Sequence, residues 1–159
     1  SLHWVGRSSV FDGAFFLRPA GEAFRLYFEE LARMTSAGGF DVLGHLDVLV
    51  RTAFEVYGEY DPRRYETLIR PVLRNCIDRG IALDINTSAM RRNAHVLLPG
   101  PDILRWYAEM GGERVILGSD AHRSDQVALH FDMALDAMRA AGLHYVTQFE
   151  QRQPRLIAL

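Results

Sequence analysis

The segment "VILGSDAH" (115–122) runs from three apolar residues through a glycine into Ser119, Asp120 and His122. An aspartate and a histidine two positions apart project to the same side of an extended chain, which suits two ligands of one divalent cation. The competing role is capping of the next helix. Because the apolar spacing places that helix over 125–141, Ser124 or Asp125 is the better cap, and Asp120 and His122 are left for other chemistry. Similar residues follow other apolar runs: His3 in "SLHWV", His45 and Asp47 in "FDVLGHLD", and Asp84, Asn86, Thr87 and Ser88 in "IALDINTS". Imidazole and carboxylate are the usual ligands of zinc, manganese and iron. Singly, each has a plainer reading: His3 as a packed histidine beside Trp4, and His45 with Asp47 as a loop hydrogen-bond pair. Their shared position after strand-like runs is what favours a site.

The elements that must position them alternate. "AFRLYFEELARM" puts Phe24, Tyr27, Phe28, Leu31 and Met34 on one helical face, with Gly38 and Gly39 as the stop. In "DPRRYETLIRPVLRNCIDRG", Asp61 is the expected N-cap, Pro62 opens the first turn and Gly80 ends the helix. Its buried stripe is Tyr65, Leu68, Ile69, Val72 and Cys76, and Pro71 should kink or split it. "PDILRWYAEM" turns Ile103, Leu104, Tyr107 and Met110 inward before Gly111 and Gly112. The 125–141 helix carries Val127, Phe131, Leu135 and Met138, and "HYVTQF" is a last strand. Five strands and four long helices in alternation predict an α/β fold of parallel β/α units, as an open sheet or a barrel. Loops at the C-terminal ends of such strands converge, which is where α/β folds place active sites.

Bulk properties narrow the class. The 159 residues suit one domain (1–159), and 48% hydrophobic with 24% charged residues is ordinary globular composition. A net charge of −2 argues against a nucleic-acid partner. The single cysteine, Cys76, lies on a helix stripe and is expected in the core; one thiol fits a reducing compartment, so a cytoplasmic location is the expectation. No apolar run approaches the roughly 20 residues of a membrane span. His95, His130 and His144 fall away from the strand ends and are assigned surface or packing roles. Arg91 and Arg92 are either solvated loop charges or anion contacts. The chain enters a strand-like segment almost at Ser1, and is therefore expected either to have lost residues by processing or to be a piece of something longer.

"SLHWV", "GHLD", "DINTSAMRR" and "GSDAH" occur in the order and approximate spacing of the PHP (polymerase and histidinol phosphatase) superfamily. The chain most resembles the histidinol-phosphatase branch, through to the closing "GLHYVTQFEQRQP". The resemblance implies part of a distorted, TIM-like (β/α)7 barrel with up to three divalent metal ions, zinc, manganese or iron, that hydrolyses phosphate monoesters. Carried over by position, His3 and His45 match ligands of one metal, Asp120 of a second and His122 of a third. Arg51 and Arg91 match arginines that hold the substrate phosphate, a role suited to a planar guanidinium. Asp47, Asp84 and Asn86 are expected to support the ligands from behind.

Two departures follow from the same resemblance. Asp84-Ile-Asn stands where the branch has a glutamate in the first position. The family's opening H-x-H strand, a further histidine and a metal-bridging glutamate all precede the segment resembling "SLHW", and this sequence does not contain them. The expectation is therefore the C-terminal portion of an L-histidinol phosphate phosphatase of histidine biosynthesis, acting on a small-molecule phosphate ester. Lacking the first strands, it should expose a sheet edge suited to self-association. The alternative is a non-catalytic remnant that binds metal or phosphate, or serves association.

Overall fold

The computed structural model describes residues 1–58, 60–92 and 94–159. It is a mixed α/β fold built on a parallel sheet. β1 (Trp4–Val5) does not join that sheet; it pairs antiparallel with β2 (Ser8–Ser9). The reversal is made at Gly6, whose φ of 59° is open to glycine at little cost. "SLHWV" is thus half of a small hairpin rather than a strand of the parallel sheet.

α1 (Ala20–Ala37) buries Phe24, Tyr27, Phe28 and Leu31, and ends where Gly38 turns with φ 70°. β3 (Val42–Leu43) leads into a helix the apolar pattern does not announce, α2 (Val50–Tyr57), which buries little beyond Val50 and Ala53. Asp61 does cap, accepting from the Arg63 amide, but the cap serves a 3-10 turn over Pro62–Tyr65. α3 (Glu66–Arg79) then runs unbroken through Pro71 to a left-handed Gly80. Thr67, whose carbonyl loses its partner at Pro71, is exposed, as is the proline itself, so water can replace the missing amide. Cys76 is fully buried, as its stripe position requires.

β4 (Ala82–Asn86) is buried at every residue and forms the middle of the sheet. α4 (Pro101–Glu109) follows, then β5 (Val115–Gly118). Order in the sheet is β3-β4-β5, all parallel, with Leu43 opposite Leu83 and Asn86 opposite Gly118. The sheet does not close into a barrel among the described residues. α1 lies against α3, and Asn75 ties them by donating to the Ala32 carbonyl at 3.0 Å.

The helix expected over 125–141 starts later. Ser124–Gln126 is a 3-10 turn, and α5 spans Phe131–Ala141. Val127, although at helical spacing, is 68% exposed, and His130 sits at the helix start in the left-handed region. Neither Ser124 nor Asp125 caps α5. β6 (Tyr145–Glu150) pairs antiparallel with β7 (Gln153–Ala158). The two-residue turn, Gln151-Arg152, has φ of 48° and 65°. Arg152 fixes it to the start of β3 by donating to both carboxylate oxygens of Asp41, at 2.9 and 3.1 Å. No helix among the described residues is long and apolar enough to cross a membrane.

Candidate metal and phosphate site

The parallel strands stop in register, and the next residues converge. His45 lies two positions after β3, Ser88 two after β4 and Asp120 two after β5. With His3 and Phe11 from the first hairpin region they line a pocket of about 540 Å³, which Arg51, Arg91, Arg92, His122 and Gln126 complete. All six residues expected to hold metal or phosphate therefore face one cavity.

His3 and His45 stack, with ring centroids 5.2 Å apart and planes 15° from parallel. Burial lowers both pKa values first of all, so both rings are held as neutral imidazoles with a lone pair available. His3 Nε2 and His45 Nδ1 are buried without a hydrogen-bond partner among the described residues. Orphaned buried nitrogens are uncommon because they forfeit hydration, and two on adjacent rings are a donor set that a divalent cation would satisfy. His45 itself is at φ 31°, outside the range most side chains prefer.

Asp84 supports this wall. Its Oδ2 accepts from the His45 amide at 3.2 Å and from Asn86 Nδ2 at 2.9 Å, while Asn86 Oδ1 accepts from the Ser88 amide at 3.0 Å. One carboxylate thus links the ends of two strands. A side chain at position 118 would collide with it, because a Cβ on Gly118 would overlap Asp84 Oδ1. Burial raises the Asp84 pKa against these hydrogen bonds. Asp47, expected beside the ligands, instead lines a different pocket; burial pushes its carboxyl up to about 7, against the backbone amides of Asp47 and Gly100.

The opposite wall is a loop. Asp120 has φ 48°, and Arg91 holds it there by donating from Nη1 to the Ser119 carbonyl at 2.9 Å and from Nη2 to the Asp120 carbonyl at 3.1 Å. His122 Nδ1 lies 2.9 Å from the Asp120 carbonyl. A carbonyl only accepts, so Nδ1 is the donor here and Nε2 is the ring nitrogen left to face a ligand. Arg51 Nη1 is 3.9 Å from Asp120 Oδ2, and its guanidinium lies 5.8 Å from the Phe11 ring centre. Phe11 and Gln126 carry no motif that marks them as lining residues, whereas Ser88 belongs to the strand-end set and Arg92 to the possible anion contacts of the sequence. Among the described residues, no group of three or more His, Cys, Asp or Glu side chains is placed to hold a metal ion by itself.

No family model matches the sequence. Individual proteins do. A probable histidinol-phosphatase of Clostridium acetobutylicum is 31% identical over 156 residues, covering 96% of this chain and 60% of the relative. One from Deinococcus radiodurans is 32% identical over 152 residues, covering 92% and 55%. The histidinol phosphate phosphatase of Lactococcus lactis, solved with zinc, L-histidinol and phosphate, superposes with a TM-score of 0.79 at 25% identity, over 97% of this chain and 59% of that one. The chain is similar to histidinol-phosphatases along nearly its whole length. It spans little more than half the length of the curated histidinol-phosphatases it matches. The Lactococcus histidinol phosphate phosphatase holds a divalent metal, and the orphaned nitrogens of His3 and His45 suit one here.

Proposed function

We propose that this chain carries the C-terminal share of a PHP-type metal-dependent phosphatase that converts L-histidinol phosphate to L-histidinol and phosphate. The observation that carries the reading is the single pocket shared by His3, His45, Asp120, His122, Arg51 and Arg91. Its support is the likeness to histidinol-phosphatases along nearly the whole chain.

His3, His45, Asp120 and His122 would hold divalent ions, zinc, manganese or iron and up to three in all, together with ligands outside this chain; such ions supply hydroxide near neutral pH and neutralise phosphate charge. Shared among three ions, four residues leave no ion with more than two ligands from this chain, in keeping with the lack of any three-ligand group among the described residues. Arg51, with its side chain 20% exposed, offers a partly desolvated guanidinium for two phosphate oxygens. Arg91 has two N–H groups committed to the 119–120 backbone, so it fixes Asp120 and turns its remaining donors to the phosphate. Arg92 is a third cation on the same wall. Together these guanidiniums would stabilise the charge that builds on the phosphoryl oxygens. Asp84 and Asn86 keep His45 in place.

Elemental analysis of untagged protein, wild type against His45→Ala, tests the site. The expected result is near-stoichiometric zinc that falls in the variant. Phosphate release from L-histidinol phosphate tests the activity, and Arg51→Ala should weaken substrate capture. These 159 residues alone should turn over poorly and gain activity when supplied with the H-x-H strand and glutamate of a relative. Robust turnover by the chain alone would overturn the ligand assignment. The second reading is a non-catalytic module that binds metal or phosphate. It predicts phosphate binding with no gain on complementation. The β3 edge, with no further strand beside it among the described residues, is the proposed surface for self-association.

A further inference from the structure

A second pocket, of about 510 Å³, shares no lining residue with the first. Its walls are largely apolar, with Val50, Met90, Val96, Leu97 and Met133 among them, yet Asp47 and Tyr60 also line it. Asp47 is 2% exposed. Its Oδ1 and the Tyr60 hydroxyl are both buried with no hydrogen-bond partner among the described residues. Leaving a buried carboxylate oxygen unpaired is costly, and a second orphan in the same apolar cavity compounds the cost.

The other charges of the pocket do not relieve it. Arg63 Nε pairs with Asp102 Oδ2 at 3.0 Å, and its side chain is 70% exposed. Asp102 also pairs with Arg105. That pairing occupies the rim charges, while Asp47 has the backbone amides of Asp47 and Gly100 but no cationic partner among the described residues. An occupant must therefore bring N–H donors, a positive charge and an apolar body.

We propose that this pocket binds a small organic cation, an ammonium group on an aromatic or aliphatic body. Two of its N–H groups donate to Asp47 Oδ1 and the Tyr60 oxygen, and its apolar part lies against Val96, Leu97 and the two methionines. Thioethers suit an aromatic ring there, being polarizable and adaptable. The proposal goes beyond the phosphatase reading and does not depend on it, because none of the phosphate-site residues contributes.

The test is titration of 2-phenylethylamine into the full chain, followed by calorimetry and by amide chemical shifts. A single saturable site is expected, with Kd near or below about 1 mM for so small a ligand. Shifts should centre on Asp47, Val50, Tyr60, residues 95–102 and Met133. Binding should weaken at least about tenfold in Asp47→Asn and for the neutral analogue 2-phenylethanol. Met133→Trp, at a rim residue 43% exposed, narrows the mouth without touching the carboxylate and should weaken binding even if Asp47→Asn folds poorly. No saturation, equal binding of the alcohol, undiminished binding by Met133→Trp, or shifts centred on His3, His45 and Arg51 would each overturn the assignment. The last pattern would move the cation to the phosphate pocket.

Discussion

The two walls of the phosphate pocket are made by different means. On one side, His45 and Ser88 follow strands buried at every residue but the half-buried Val42, and the Asp84 carboxylate fastens them together. On the other, Asp120 and His122 stand on a loop whose residues 121–125 are all exposed. There the backbone is held by Arg91 from outside the loop and by Thr87, whose hydroxyl donates to the Leu129 carbonyl at 2.7 Å. The first wall gets its geometry from the core, and the second from a few hydrogen bonds. Damage to the first should therefore appear as lost stability, and damage to the second as lost function with little change in stability.

The largest effect belongs to the first wall. Leu83, fully buried in β4 opposite Val115, leaves a cavity when cut back. Leu83→Ala should cost about 2–5 kcal/mol in urea unfolding, with the site lost as a consequence. Gly118→Ala comes next. Its Cβ would press on Asp84 Oδ1, and about 1–3 kcal/mol is expected for the overpacking. Because Asp84 must move, the His45 amide loses its acceptor, so zinc retention should fall further than stability alone explains. If Gly118→Ala unfolds like wild type, Asp84 is not the brace described here.

The first wall was legible: the apolar runs ending at Leu43, Asn86 and Gly118 are the three parallel strands, and His45, Ser88 and Asp120, two positions past them, line one pocket. Strand periodicity reports which residues are buried, and the strand ends follow from it. The second wall was not legible. Val127, Phe131, Leu135 and Met138 have helical spacing, but spacing carries no information about φ, and His130 breaks the helix at φ 64°. The β6–β7 hairpin was missed for a similar reason. Its two-residue turn is Gln-Arg with both φ values positive, where a sequence signal would need Asn-Gly. Asp47 was misplaced because one turn of chain separates it from His45, enough to direct it into the other pocket.

Cys76 gives a smaller, chemical check on the well-packed side. Burial pushes its thiol up to about 12, so almost no thiolate exists at neutral pH. Native protein should resist a disulfide-exchange reagent that labels Cys76 promptly in urea. In Leu83→Ala the native-state labelling rate should rise, because local opening becomes more frequent.

The smallest stability effects, and the sharpest functional ones, are expected on the loop wall. Arg91→Ala removes two hydrogen bonds to half-exposed carbonyls, each worth about 1 kcal/mol or less. Global unfolding should shift by no more than about 1–2 kcal/mol. Amide exchange across 119–126 should quicken much more. Asp120→Gly separates strain from ligation at the same residue. Glycine adopts φ 48° without the cost an L side chain meets, so stability should be unchanged or slightly improved. Metal retention should nevertheless fall, because the carboxylate is gone. A variant that keeps both stability and metal would show that Asp120 is there to shape the turn, and the loop wall would then contribute His122 alone.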